Sequence, residues 1–74
     1  TLDHMAFIVL VVDDAATFRA RVVALLEEMP GIDAVVEAGS CGEALTWLER
    51  ERPTVALLDL HLPDGSGLDV ARRL

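Results

Sequence analysis

Phe7 to Val12 is an unbroken apolar run, Phe-Ile-Val-Leu-Val-Val, closed by the acidic pair Asp13-Asp14. A run without alternation, rich in β-branched residues, is how a strand covered on both faces reads. Past the acidic pair the period changes: Phe18, Val22, Leu25, Leu26 and Met29 recur at offsets of 4, 7, 8 and 11. That stripe predicts an amphipathic helix, ended by Pro30-Gly31. A second short strand is predicted over Ala34 to Ala38, centred on Val35 and Val36 and stopped by Gly39. Ser40-Cys41-Gly42-Glu43 has the spacing of a capping box and opens a helix with Ala44, Leu45 and Leu48 inward, which stops before Pro53. Val55 to Leu60 is the third strand, followed by the turn-rich His61-Leu62-Pro63-Asp64-Gly65. Ser66-Gly67-Leu68-Asp69 offers another capping pattern ahead of Val70 to Leu74, so the chain is expected to stop inside a third helix.

Strand and helix alternating three times with short links predict an α/β fold, a parallel sheet with helices on both faces. In a flavodoxin-like doubly wound sheet of order 2-1-3-4-5, of which this chain holds the first three βα units, strands 1 and 3 are neighbours. Ligands then sit beyond the carboxyl ends of these strands, where the strand order reverses. Those ends carry Asp13, Asp14 and Asp59.

Composition narrows the class. At 74 residues, 53% hydrophobic and 4% aromatic, the chain is too apolar for a disordered tail and holds at most one domain with a modest core. No apolar run approaches the ~18 residues of a membrane span, so a soluble protein without membrane contact is expected. The net charge is -7 and all six basic residues are arginine, a balance that argues against direct nucleic-acid binding by this segment. The single cysteine, Cys41, allows no internal disulfide, and no secretion signal opens the chain, which fits a cytoplasmic location. Residues 1–6 are read as an N-terminal extension or cloning remnant and 7–74 as the domain. Cys41 is read as a small helix-start residue and not a redox centre, Trp47 as packing or partial surface cover, and Arg72 and Arg73 as favouring a helix carboxyl end.

Three carboxylates gathered at one sheet edge repel one another unless a cation neutralises them. Mg²⁺ suits such a place, since it takes one or two carboxylates together with waters and phosphate oxygens. An aspartate can itself accept a phosphoryl group, because attack on phosphorus needs positioning and charge neutralisation more than a strong base. The plainer reading has Asp13 or Asp14 capping the first helix. Asp59, closing an apolar strand, is harder to explain without a partner or a purpose.

Val-Val-Asp-Asp after the first strand, Leu-Leu-Asp-Leu in the third, and Leu-Pro-Asp-Gly-Ser-Gly-Leu beyond it together resemble the response-regulator receiver domain of two-component signalling. Glu37-Ala38-Gly39-Ser40 leading to Glu43-Ala44-Leu45 resembles the same family, so the likeness runs from Phe7 to Leu74. It implies that Asp59 is the phosphoacceptor, loaded from a phosphohistidine on a sensor histidine kinase. It implies a Mg²⁺ site made by Asp14 directly, Asp13 through a bound water, Asp59, and the backbone carbonyl rather than the side chain of His61. On this reading the domain is no enzyme in the ordinary sense: it catalyses only its own phosphotransfer and dephosphorylation, and relays the signal to an output domain or partner. A DNA-binding output is one form such a partner takes.

The family also uses a hydroxyl at the end of strand 4, a lysine at the end of strand 5 and an aromatic switch residue, and the three units here contain none of them. The alternative is therefore a pseudo-receiver, or a truncated interaction module that keeps the fold without phosphoryl transfer. A hydrolase with an aspartyl nucleophile fits less well, because His61 stands where such enzymes place a second acid. With only three strands, the apolar Val55-Ala56-Leu57-Leu58 becomes an edge. A free monomer of this length is then expected to be unstable, and either further chain or a second copy, by swapping or strand pairing, is expected to cover that edge.

Overall fold

The computed structural model describes residues 6–74. Of the extension read over residues 1–6, only Ala6 falls among them; it is exposed, and its carbonyl accepts from the Thr54 hydroxyl at 3.3 Å. The elements follow in the order β1 (Ile8–Val12), α1 (Ala16–Glu27), β2 (Ala34–Ala38), α2 (Cys41–Leu48), β3 (Val55–Leu58) and α3 (Gly67–Ala71). The strands form one parallel sheet of order β2-β1-β3, as the flavodoxin-like arrangement requires. Ile8 pairs with Ala34 and Val12 with Ala38 on one side, and Val9 with Val55 and Val12 with Leu58 on the other.

β1 takes the centre because only its sequence tolerates burial on both faces. Leu10 and Val12 pack with Ala38, Cys41, Ala44, Leu62 and Val70 beneath α2 and α3. Val9 and Val11 pack with Val23 beneath α1. Full burial of Leu10 and Val12 contributes about 1.5–3 kcal/mol each.

α1 departs from its predicted form in two ways. It stops at Glu27, and Met29, placed on the helical stripe by its spacing, lies in the following turn and is exposed. The one buried residue of α1 is Val23, outside that stripe, while Phe18 and Leu25 are exposed. The physical reason is where the helix sits. It packs on β1 and β2, so the striped face is only half covered, with Val22 and Leu26 resting against Val9, Val11 and Val23 on the side that borders Leu57. There Leu26 and Met29 border one hollow and Phe18 and Val22 another, with Leu57 common to both.

β3 is shorter than predicted. It ends at Leu58, and Leu60 is exposed, because the backbone turns at Asp59 into the loop that follows. Ala56 and Leu58 pack toward α2 and α3, whereas Val55 and Leu57 stand 42% exposed on the other face. Among the described residues β3 pairs with β1 alone.

Both predicted caps form, one of them altered. Ser66 Oγ accepts from Leu68 N at 3.1 Å and the Asp69 carboxylate accepts from Ser66 N at 3.2 Å, a reciprocal box opening α3. At α2, Ser40 Oγ accepts from Glu43 N at 3.1 Å, but Glu43 reaches back to the N–H of Gly39 rather than to that of Ser40. α3 begins at Gly67 and gives way after Ala71 to a turn, where the bonds tighten from Arg72 N to Leu68 O to the shorter step Leu74 N to Ala71 O. Arg72 stands at the carboxyl end of α3, as its C-cap, and its guanidinium pairs with Asp69 at 2.8 Å, one turn back. Trp47 is half-buried against the core below α2, a packing residue as expected.

Candidate functional site

The carboxyl ends of β1 and β3 lie side by side because the two strands pair directly. The ladder runs one residue past each strand: Asp59 N donates to Val12 O at 2.9 Å, and Asp13 N donates to Ala38 O at 3.0 Å. These bonds hold Asp13 and Asp59 at adjacent backbone positions. Asp14 follows where the chain leaves the sheet for α1. One carboxylate oxygen from each of Asp13, Asp14 and Asp59 lies within 4.8 Å of the other two. Asp13 and Asp59 are half-buried and Asp14 is exposed, so the group opens to solvent on one side.

Each half-buried acid has one oxygen assigned. Asp13 Oδ1 accepts from Ala15 N at 2.8 Å, ahead of α1, whose N-cap residue Ala15 has no capping side chain. Asp13 therefore closes a local turn ahead of α1 and does not cap the helix, so the capping reading of Asp13 is not realised. The turn leaves room for a second role, since a carboxylate offers about four lone-pair sites. Asp59 Oδ1 accepts from His61 N at 3.0 Å, which fixes the rotation of the carboxylate. The His61 side chain is exposed.

The donor set fits a hard divalent cation. Three carboxylate oxygens from two strand ends converge without a sulfur or imidazole in the group, and the open side admits water and phosphate oxygens. A hollow of about 310 Å³ adjoins it, bounded by Asp13 and Asp59 together with Val12, Phe18, Val22 and Leu58.

Three supporting residues escaped the reading of the sequence. Arg19, from the first turns of α1, donates from Nη1 to the Asp13 carbonyl at 2.6 Å and from Nε to Glu37 at 2.9 Å, tying the acidic corner to β2. Gly67, buried at the start of α3, leaves no space for a side chain: a Cβ there would overlap the Asp59 carbonyl oxygen and lie 3.1 Å from Leu58 Cβ. Asp64 accepts from the N–H groups of Cys41 and Gly42 at 2.8 and 2.9 Å. Those two bonds, that from Gly42 foremost, hold its carboxyl below the usual carboxylate range. Arg19 and Asp64 act across 6 to 23 residues of sequence, where no local period signals them; Asp64 and Gly67 stood in the quoted motif, but their contacts did not show.

Cys41 lies in the core beneath this loop. Burial, then the charges of Asp64 and Asp69, push its thiol up, away from the reactive thiolate.

Comparison with known proteins bears on the fold and the family. A family model described as the response regulator receiver domain matches residues 9–74. The DNA-binding transcriptional activator DevR/DosR of Mycobacterium tuberculosis is 46% identical over 66 residues, covering 89% of this chain and 30% of that protein. The sensory transduction protein LytT of Enterococcus faecalis is 38% identical over 66 residues, 89% of this chain and 27% of that protein. A protein-glutamate methylesterase/protein-glutamine glutaminase of Alkalilimnicola ehrlichii is 38% identical over 65 residues, 88% of this chain and 17% of that protein. The chain thus spans less than a third of the length of these relatives.

Proposed function

Since the chain belongs to the response regulator receiver domain family, we propose that it is a phosphoacceptor module in which Asp59 takes a phosphoryl group from a sensor histidine kinase. The observation that carries this reading is the convergence of Asp13, Asp14 and Asp59 within 4.8 Å at the neighbouring ends of β1 and β3. Asp59 is the nucleophile. The His61 N–H holds its Oδ1, and Oδ2 attacks phosphorus, forming an O–P bond as the N–P bond of the donor phosphohistidine breaks and its electron pair returns to the imidazole.

Asp14, Asp13, Asp59 and the His61 backbone carbonyl are the residues that would hold Mg²⁺, which when bound would neutralise charge on the incoming phosphoryl group. Arg19 would keep Asp13 in place through its carbonyl. Signal passes to an output domain or partner outside these residues. The likeness to a DNA-binding activator supports a DNA-binding output, and the acidic surface of this segment supports keeping that contact elsewhere. Among the described residues no helix is long and apolar enough to cross a membrane. We place the protein in the cytoplasm, where the kinase domains of such systems deliver phosphate.

The test is labelling of the full-length protein by a small acyl-phosphate donor with Mg²⁺. One equivalent of hydroxylamine-labile label is expected, absent in Asp59→Asn. Label that persists in that variant, or resists hydroxylamine, places the chemistry on another residue.

A further inference from the structure

The loop between β3 and α3 is held at both ends by bonds to other elements. At its start Asp59 N donates to Val12 O at 2.9 Å, and His61 N closes back on Asp59 Oδ1 at 3.0 Å. Further on, Leu62 and Gly65 exchange backbone bonds of 3.1 and 3.3 Å around a tight turn. Gly65 there has φ 156°, a conformation side chains disfavour. Asp64 stands at the tip of this turn. Its two oxygens separately accept from Cys41 N at 2.8 Å and Gly42 N at 2.9 Å, the first two N–H groups of α2. The third belongs to Glu43 and is taken by Ser40 Oγ. Cys41 adds a second link, its Sγ lying 3.4 Å from Ser66 O.

A helix start is ordinarily capped from its own sequence. Here Ser40 supplies one bond, and the other two come from a loop more than twenty residues away. The charge suits the positive end of the helix dipole, and two backbone donors fix the carboxylate in plane as well as in position. Leu62, buried next to Cys41 and Ala44, sets the depth of the same turn. His61 lies between the two anchors.

We propose that Asp64 is a positioning residue for the phosphoacceptor site, clamping the segment that carries Asp59 and His61 onto the start of α2. The inference rests on the reading of Asp59 and the His61 carbonyl given above, and the clamp acts through them, touching neither phosphoryl group nor cation.

The experiment compares Asp64→Ala, Asp64→Asn and Ser40→Ala in the full-length protein. Two readouts are taken: Mg²⁺ affinity by titration, and the amide resonances of Asp59 and His61 in metal-free protein. Asp64→Ala is expected to weaken Mg²⁺ binding about 10-fold or more, the usual effect of losing a residue that orients a ligand, and to move the His61 amide resonance. Asp64→Asn keeps one acceptor oxygen and should fall between; it carries the test if Asp64→Ala does not fold. Ser40→Ala removes a cap from the same helix without touching the loop, so both readouts should stay near the parent. Parent-like affinity and an unmoved His61 amide in folded Asp64 variants overturn the clamp. So does an equal loss in Ser40→Ala, which would trace the effect to the stability of α2. A parent protein that binds no Mg²⁺ overturns the metal reading instead, and the His61 amide then decides the clamp alone.

Discussion

Gly67→Ala tests how tightly the acceptor residue is held. A Cβ built on Gly67 would overlap the Asp59 carbonyl oxygen, stand 3.0 Å from the Asp59 carbonyl carbon and 3.1 Å from Leu58 Cβ. Ordinary carbon contacts lie at about 3.5–4.0 Å, so the start of α3 or the Asp59 backbone must give by roughly 0.5–1 Å. Neither can rotate aside, because two of the three obstructing atoms are backbone and Gly67 is itself buried. Overpacking of this kind costs about 1–3 kcal/mol, offset by roughly 0.5–1 kcal/mol from the lower chain entropy of alanine in the unfolded state. The net expectation is a loss of about 1–2 kcal/mol in urea unfolding of the full-length protein. Phosphorylation should suffer more than stability. A displacement near 1 Å at a reacting group can cost on the order of 100-fold, so labelling of Asp59 should slow by about 10- to 100-fold in protein that is still folded. Gly42→Ala is the control, since a Cβ there meets Asp64 Oδ2 at an ordinary 3.4 Å. It should be neutral or stabilising by up to about 1 kcal/mol. A Gly67→Ala protein with parental unfolding midpoint and parental labelling rate would refute the close approach.

Other outcomes follow from the same contacts. Leu10→Ala, at a position with no exposure beneath α2, should cost about 2–5 kcal/mol in chemical denaturation. Asp14→Ala should abolish or strongly weaken Mg²⁺ binding seen by titration, and unchanged affinity would remove Asp14 from the site. Asp64 has a folded pKa below its unfolded value, so its stabilisation is complete above the ordinary carboxylate pKa, near 4, and is lost as pH falls through the lower folded value. Asp64→Asn should therefore flatten the acid limb of the stability profile while leaving the alkaline limb in place. Arg19→Ala removes the bonds to the Asp13 carbonyl and Glu37 and should destabilise by about 1 kcal/mol, with weaker Mg²⁺ binding; the exposed Arg72–Asp69 pair should contribute under about 0.5 kcal/mol when broken by Arg72→Ala.

How much could be read before the fold was known depends on the range over which each cause acts. The apolar run ending in Asp13-Asp14 announced a central strand, because burial on both faces leaves no polar position within it. The bounds of β2, the Ser66 box and the approach of Asp13, Asp14 and Asp59 were legible for similar reasons: runs, caps and strand ends are local, and parallel order brings the ends of β1 and β3 together. Tertiary structure alone decided the rest. The stripe of α1 was real as a period, but which face would be buried depended on the helix lying over β1 and β2, so Val23 went in while Phe18 and Leu25 stayed out. β3 stopped two residues early because the turn at Asp59 is set by the ladder to Val12 and the packing of Gly67, not by hydrophobicity. The seat of Asp64 on α2 and the reach of Arg19 to Glu37 join residues 18 to 23 apart. A side chain that satisfies a distant backbone donor has no period to betray it, since its partner is chosen only when the sheet and helices bring the two together.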